Sequence, residues 1–190
     1  MGSVDKGLQP LHGKPLVEHV IQRLSPQVDV LHINANQNLN VYAAYGLPVW
    51  PDVEPDFAGP LAGLQTGLIH CATPLLVTVP CDSPYLPTDL VARLWAGLDA
   101  NDADLAVAVT GEDPHRQMQS VFLLVKVSLL PHLTAFLAGR GRKVDAWFSS
   151  LKVAEVHFAD EDAFRNINTL RELQESAPLA PIRQPADGTA

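Results

Sequence analysis

The feature that most limits how this chain can fold is the alternation of strand-like and helix-like segments along its 190 residues. Apolar runs of strand length, such as 74–79 and 104–109, are separated by stretches in which leucine and valine recur at helical spacing, such as 86–98. This alternation is typical of a mostly parallel central sheet with helices on both faces. The sequence therefore predicts an α/β fold.

The same patterns predict the individual elements. Helices are predicted over 15–24, 39–45, 61–70, 86–98 with Thr88 as N-cap, and 129–137. Strands are predicted over 28–33, 47–50, 74–79, 104–109, 121–125 and 152–157, with a polar insert from Thr110 to Gln119. A capping-box pattern at Thr169-Leu170-Arg171-Glu172 predicts a last helix to about Ser176. We expect one domain over 1–176 and a disordered tail over 177–190.

Charge and composition exclude several classes of function. The net charge is −8, which disfavours a protein that binds nucleic acid or an anionic membrane surface without specificity. Apolar runs stay well short of a membrane span, and the first residues lack a secretory pattern. Two cysteines are too few for a disulfide framework, so we expect a cytoplasmic location.

Polar residues that follow predicted strands are the first candidates for a site, because ligands of open α/β sheets bind beyond the carboxyl ends of the strands. Asp82 is the sharpest of them, since it directly follows a buried strand. It either binds Mg²⁺ together with substrate phosphates or only begins the turn Asp82-Ser83-Pro84, and spacing alone favours neither interpretation.

The other candidates each have an ordinary structural explanation as well. Asn34 and Asp52 suit a turn and a loop, and Asn168 sits before the capping box. Gly59-Pro60-Leu61-Ala62-Gly63 either presents backbone amides at a helix start or is a tight turn. Lys6 and the Arg140, Arg142, Lys143 cluster are either anion contacts or solvated charge.

Other catalytic chemistries have little support in the sequence. The seven histidines lack the spacing of zinc ligands, and neither a nucleophile elbow nor a Walker loop is present. Cys81 lies next to Asp82, which would raise the pKa of its thiol, so it is interpreted as a small packed residue.

Several motifs together resemble one family, in order and at similar spacing. They are Met1 to Leu8 (MGSVDKGL), Gly13-Lys14-Pro15-Leu16, Asn34-Ala35-Asn36, Asp52, Gly59 to Gly63 (GPLAG), Pro80 to Pro84 (PCDSP) and Asn166-Ile167-Asn168-Thr169. In these segments the chain closely resembles the molybdenum cofactor guanylyltransferases, up to about Leu173. The GPLAG segment favours them over the related cytidylyl- and sugar-nucleotide transferases.

The resemblance implies a Rossmann-like nucleotidyltransferase that transfers GMP from GTP to the terminal phosphate of Mo-molybdopterin and releases pyrophosphate, with Mg²⁺ as cofactor. It assigns Lys6 and Asp82 to catalysis, Asp82 to the metal, and Arg142, Asn166 and Asn168 to molybdopterin. It also implies a monomer with transient contacts to other proteins of cofactor synthesis and to apo-molybdoenzymes. By the same resemblance, the GTP site comprises Lys6, Asn34, Asp52, Gly59, Gly63 and Asp82.

The chain differs from the family pattern at its front. Family members begin with an apolar strand and a Leu-Ala-Gly-Gly-x-x-x-Arg-Met-Gly loop that holds guanine and phosphates, whereas here Met1-Gly2 matches the end of that loop. We therefore expect the first strand and the glycine-rich loop to be missing from this sequence, because the start was placed too far downstream, the segment was removed, or Met1-Gly2-Ser3 is a cloning remnant that imitates the motif. If the chain is complete, we expect weak GTP binding and little activity. Alternatives are a cytidylyl- or sugar-nucleotide transferase of the same fold and a non-catalytic scaffold for cofactor delivery.

Overall fold

A computed structural model describes residues 5–53 and 59–167 of the chain. The predicted last helix and tail, and Asn168, lie outside these ranges. Within them, no helix is long and apolar enough to cross a bilayer. The strands are β1 (Pro10–Leu11), β2 (Lys14–Pro15), β3 (Ile33–Asn34), β4 (Val49–Trp50), β5 (Leu75–Thr78), β6 (Leu105–Thr110), β7 (Gln117–Lys126) and β8 (Val153–Phe158). The α-helices are α1 (Leu16–Leu24), α2 (Leu39–Ala43), α3 (Pro60–His70), α4 (Leu90–Ala100), α5 (Leu130–Ala138) and α6 (Val144–Phe148).

The main sheet has four strands in the order β5-β7-β6-β8. Strand β7 is antiparallel to both β5 and β6, and β8 is parallel to β6. Three of the four strands therefore run in one direction and β7 runs against them. Strands β3 and β4 form a separate parallel pair, and β1 and β2 a short antiparallel one.

Each face of the main sheet has its own apolar core, because successive side chains of a strand point to opposite faces. Ala106 and Ala108 of β6 belong to a core with helix α4, whereas Leu105 and Val107 belong to a second core with helices α3, α5 and α6. Every residue of β6 is buried. The predicted α/β fold with helices on both faces is confirmed.

The amino-terminal half adds a smaller core around the β3–β4 pair. Val17 of α1, Ile33 of β3 and Tyr42 of α2 pack together there and are nearly inaccessible to solvent. This core fixes α2 against β3.

Several predicted boundaries are wrong, each for a physical reason. The predicted strand 28–33 is paired only at Ile33–Asn34, because a strand forms only where a neighbour accepts its hydrogen bonds. Helix α4 begins at Leu90 after Asp89, so Thr88 is not its N-cap. The predicted polar insert is shorter than expected, since Gln117 to Gln119 pair with Ala108 to Thr110 across the β6–β7 turn. Helix α6 was not predicted.

The two-sided burial of the main sheet predicts where substitutions should cost most. Leu94 on α4 is fully buried, so Leu94→Ala should lower the free energy of unfolding by about 2–5 kcal/mol. The exposed Asp99 of the same helix provides the control, and Asp99→Ala should stay within about 0.5 kcal/mol. Urea denaturation of both variants measures the difference, and equal losses would contradict this packing.

Candidate functional site

Asp82 lies in the turn beyond the carboxyl end of β5, where the chain leaves the sheet at Pro80. The residue is 8% exposed, and its backbone carbonyl accepts a hydrogen bond from the Ile167 amide at 2.9 Å. The ammonium of Lys6 lies 3.8 Å from Asp82 Oδ2, and the lysine side chain is 53% exposed. A buried carboxylate thus faces one cation that remains open to solvent.

Burial controls the charge of this carboxylate. Loss of hydration raises the pKa of Asp82, and the opposing effects of Lys6 and of backbone hydrogen bonding do not fully offset it. The ionised form of Asp82 is therefore costly in the free protein, and a second cation near it would lower that cost.

Lys6 is positioned by a network that was not predicted from the sequence. The preceding residue, Asp5, accepts hydrogen bonds from the Tyr42 hydroxyl at 2.7 Å and from Asn38 Nδ2 at 2.9 Å. Burial, and then the bond to Asp5, raise the pKa of the Tyr42 phenol, so this hydroxyl stays protonated and donates. Because Asp5 directly precedes the Lys6–Leu8 turn, its bonds tie that turn to α2.

The surroundings of Cys81 disfavour the thiolate form of its side chain. Desolvation, Asp82 and Asp5 raise the pKa of its thiol to about 11, although the residue keeps solvent-exposed surface. The raised pKa agrees with the prediction that Cys81 is not a nucleophile, but its exposure contradicts its interpretation as a packed residue. Gly7 approaches it so closely that a Cβ there would lie 2.9 Å from Cys81 Sγ and 2.6 Å from Tyr42 Oη.

A second polar group lies at the carboxyl ends of β3 and β4. Asn34 Nδ2 donates to Asp52 Oδ1 at 3.0 Å, and Asn36 Nδ2 donates to Asp52 Oδ2 at 2.8 Å. The Asp52 amide in turn donates to Asn36 Oδ1 at 2.8 Å, and Asn34 also donates to the Trp50 carbonyl at 3.0 Å. These bonds fix the Asp52 carboxylate, and each of its oxygens retains a lone pair for a ligand.

Two glycines shape the start of α3 beside this group. Gly59 precedes the helix with φ of 146°, a conformation that favours glycine, and Pro60 is its first residue. A Cβ on Gly63 would lie 2.5 Å from Asn34 Oδ1 and 3.8 Å from Asp52 Oδ1. The missing side chain therefore lets the first turn of α3 lie directly against the Asn34–Asp52 pair.

The residues assigned to molybdopterin are only partly brought together. Asn166 Oδ1 accepts a hydrogen bond from the Ser83 hydroxyl at 2.5 Å, which places it next to Asp82. Arg142 instead donates to the carbonyls of Leu137 and Gly141 at the end of α5, at 3.1 and 2.6 Å. Its role remains a prediction, as does that of Asn168.

The Asp82 carboxylate suits a metal ion that binds together with the phosphates of a substrate. In the part of the chain that the structure describes, no group of three or more His, Cys, Asp or Glu side chains is placed to hold a metal. Mg²⁺ needs less from the protein, because it is commonly bound by one or two carboxylates together with substrate phosphates and water. The buried, raised-pKa carboxylate of Asp82 fits that pattern.

A family model described as the MobA-like NTP transferase domain matches residues 1–154. The chain belongs to this family. The molybdenum cofactor guanylyltransferase of Cupriavidus necator is 58% identical over 175 residues, 92% of this chain and 88% of that protein. The enzyme of the same name from Bordetella petrii is 53% identical and covers 92% and 89%.

Solved structures agree on the fold of this MobA-like chain. Molybdopterin-guanine dinucleotide biosynthesis protein A from Archaeoglobus fulgidus has a TM-score of 0.70 at 20% identity, over 90% of this chain and 88% of that one. The 4-diphosphocytidyl-2C-methyl-D-erythritolsynthase from Anaerococcus prevotii has a TM-score of 0.73 at 13% identity, over 90% and 89%. The predicted family and its nucleotidyltransferase fold are confirmed.

The raised pKa of Asp82 predicts how pH affects stability. The carboxyl binds its proton more tightly in the folded chain, so its contribution to the free energy of unfolding falls as pH rises through the folded pKa. At pH 7 Asp82→Asn should therefore be as stable as the parent or more stable, and the advantage should shrink toward acidic pH. Urea denaturation at several pH values, with the exposed Asp99→Asn as control, measures this. A variant that is less stable at pH 7 would contradict it.

Proposed function

We propose that this chain is a molybdenum cofactor guanylyltransferase, which transfers GMP from GTP to the terminal phosphate of Mo-molybdopterin and releases pyrophosphate. The buried Asp82 carboxylate beside Lys6, beyond the carboxyl end of β5, carries the proposal. The family of the chain and the names of its relatives support the choice of reaction.

The reaction needs charge neutralisation more than proton transfer. An oxygen of the molybdopterin phosphate forms a bond to the α-phosphorus of GTP, while the bond from that phosphorus to the α–β bridging oxygen breaks and pyrophosphate leaves with the electron pair. The attacking oxygen is already anionic at neutral pH, since the second pKa of a phosphate monoester is about 6. Positioning and electrostatic stabilisation therefore suffice, and a general base is unnecessary.

Asp82 and Lys6 have opposite tasks in this scheme. Asp82 would hold Mg²⁺, which when bound neutralises phosphate charge. The Lys6 side chain is half exposed, and its ammonium faces the Asp82 carboxylate. It can therefore move toward a phosphate oxygen while the Lys6–Leu8 turn stays fixed through Asp5. The weak 3.8 Å contact between the two side chains leaves room for this exchange.

The Asn34–Asp52 group is suited to the nucleoside of GTP. Asp52 is oriented by Asn34 and Asn36 before any ligand binds, so the entropic cost of fixing its side chain on binding is small. The start of α3, with Gly59 and Gly63, borders the same crevice and offers the positive end of its helix dipole to a phosphate.

The remaining proposals concern the residues that contact molybdopterin, the cellular location and the partner proteins. Asn166 lies next to Asp82 through Ser83 and is proposed to contact molybdopterin, with Arg142 and Asn168. We also propose a cytoplasmic location, which the low cysteine content supports, and a monomer that makes transient contacts with other cofactor-synthesis proteins and apo-molybdoenzymes.

Nucleotide preference and metal dependence test the proposal. With Mg²⁺ present, GTP should raise the melting temperature more than CTP or UTP, and pyrophosphate release should require molybdopterin. In a version of the chain that carries the family's amino-terminal strand and loop, Asp82→Asn should lower that release by at least about 100-fold, because it removes a charge-stabilising group, and leave the fold intact. Equal stabilisation by the three nucleotides favours the cytidylyl- or sugar-nucleotide alternative. GTP binding without turnover favours a scaffold, and full activity of Asp82→Asn refutes its metal role.

Helix α3 offers a matched pair of substitutions for the nucleotide group. In Gly63→Ala the new methyl would displace Asn34 from Asp52, so we expect KM for GTP to rise about tenfold, about 1.4 kcal/mol. In Gly67→Ala the methyl meets only the flexible end of Leu76, at 2.9 Å, so KM should change little. Steady-state kinetics of both variants decide the matter, and similar KM values would argue against this group as part of the nucleotide site.

A further inference from the structure

Tyr42 links the two polar groups of the candidate site. Its side chain is nearly inaccessible to solvent and packs in the smaller core with Ile33, which directly precedes Asn34 on β3. Its hydroxyl donates to Asp5 Oδ1 at 2.7 Å, and Asp5 directly precedes Lys6. A single side chain therefore connects the core next to Asn34 with the residue before Lys6.

The carboxylate of Asp5 is held at both of its oxygens. Asn38 Nδ2 donates to Oδ2 at 2.9 Å, while the Tyr42 hydroxyl occupies Oδ1. Asn38 has φ of 53° and its side chain does not cap α2, although its carbonyl accepts the Val41 and Tyr42 amides. The Asn38 side chain is thus directed to Asp5, and the two bonds orient the Asp5 carboxylate toward α2.

Hydrogen bonds of the Lys6–Leu8 turn converge on the backbone of Asp5. The Leu8 amide donates to the Asp5 carbonyl at 3.3 Å, and Gln9 Nε2 donates to the same carbonyl at 3.3 Å. Leu8 also packs against the smaller core. Because Asp5 is itself held through its carboxylate, the turn takes its position from α2 and from that core.

Gly7 brings the turn against the same tyrosine hydroxyl. The residue is buried, and a Cβ there would lie 2.6 Å from Tyr42 Oη and 2.9 Å from Cys81 Sγ. Only glycine allows the backbone to come this close. The turn is therefore seated between Tyr42 and Cys81, and Cys81 directly precedes Asp82.

We propose that Tyr42 is a positioning residue for Lys6: through Asp5, its hydroxyl holds the Lys6–Leu8 turn so that the lysine ammonium lies at a fixed place relative to Asn34. In the proposed function Asn34 serves the nucleoside and Lys6 the phosphates, so this link sets the spacing between the two halves of the GTP site. The role in GTP binding rests on the proposed function, whereas the positioning of the turn does not.

Amide hydrogen exchange tests the positioning without any ligand. Tyr42→Phe removes the hydroxyl and keeps the ring, so the Leu8 and Gln9 amides should exchange at least about tenfold faster. The Ile33 amide should stay within about twofold of the parent, because the smaller core keeps its packing. Tyr45→Phe is the matched control, since Tyr45 contributes to the same core but does not donate to Asp5, and it should change none of these rates.

Ligand binding tests the consequence for the site. Guanosine and GTP with Mg²⁺ are titrated into the parent and into Tyr42→Phe, and dissociation constants are taken from NMR chemical shifts. GTP should bind the variant about tenfold more weakly, because Lys6 no longer keeps its place relative to the nucleoside group. Guanosine lacks phosphates, so its dissociation constant should change by less than about twofold. Loosening of the whole core would weaken both ligands alike.

A double-mutant cycle determines whether Tyr42 acts through Asp5. In an Asp5→Ala chain the tyrosine hydroxyl has lost its acceptor, so adding Tyr42→Phe should change the dissociation constant of GTP by less than about twofold. A tyrosine that only fills the core would have the same effect in both backgrounds.

Three results would overturn the proposal. They are unchanged exchange of the Leu8 and Gln9 amides in Tyr42→Phe, equal weakening of GTP and guanosine binding, and an undiminished effect of Tyr42→Phe in the Asp5→Ala chain. A parent that binds neither ligand would count against the proposed function instead, and the exchange rates would still decide whether Tyr42 positions the turn.

Discussion

The β5–β7 ladder is the interaction on which the site depends. It is the only strand pairing of β5 among the described residues, and it aligns Leu75–Thr78 with Leu123–Lys126. The direction of β5 decides where the chain leaves the sheet, and therefore where the carboxylate of Asp82 sits. Since β7 also pairs with the fully buried β6, the position of Asp82 is fixed by the best packed part of the molecule.

The local charges of the proposed site favour anions, whereas the net charge of the whole molecule repels them. A chain with net charge −8 repels polyanions at long range, yet its proposed substrates are polyanions. In the proposed function, affinity would come from local groups: the half-exposed Lys6, the backbone amides at the start of α3, and a metal ion that Asp82 would hold. The raised pKa of Asp82 fits this arrangement. Burial makes the ionised carboxylate unfavourable, and a bound cation would lower the free-energy cost of that ionised form.

The sequence predicted those parts of the molecule that depend on local pattern. Helical spacing identified α1, α3 and α5, and the apolar run at 74–79 identified β5, although the residues of β5 are only partly buried. The strand 28–33 was predicted too long, because pattern cannot tell whether a neighbouring strand is there to pair with it.

The candidate site was predictable only where its residues directly follow strands. That position singled out Asp82 and the Asn34–Asp52 pair, which the structure places at the carboxyl ends of β5 and of the β3–β4 pair. Tyr42 and Asn38 were missed. Their bonds to Asp5 join residues more than thirty positions apart, and periodicity carries no information about such contacts.

The Asn34–Asp52 group and the Asp82 group belong to two sheets that share no backbone ladder in the described ranges. Their relative placement must therefore be maintained by side chains and helices. Helix α3 contacts both sheets, with Gly63 against Asn34 and Gly67 against Leu76, and the Tyr42–Asp5 bond ties the Lys6 turn to the smaller core. Contacts of this kind resist separation less cooperatively than a hydrogen-bonded ladder, because each can loosen without breaking its neighbours. The distance between the Asn34–Asp52 group and Asp82 therefore depends on these separate side-chain contacts.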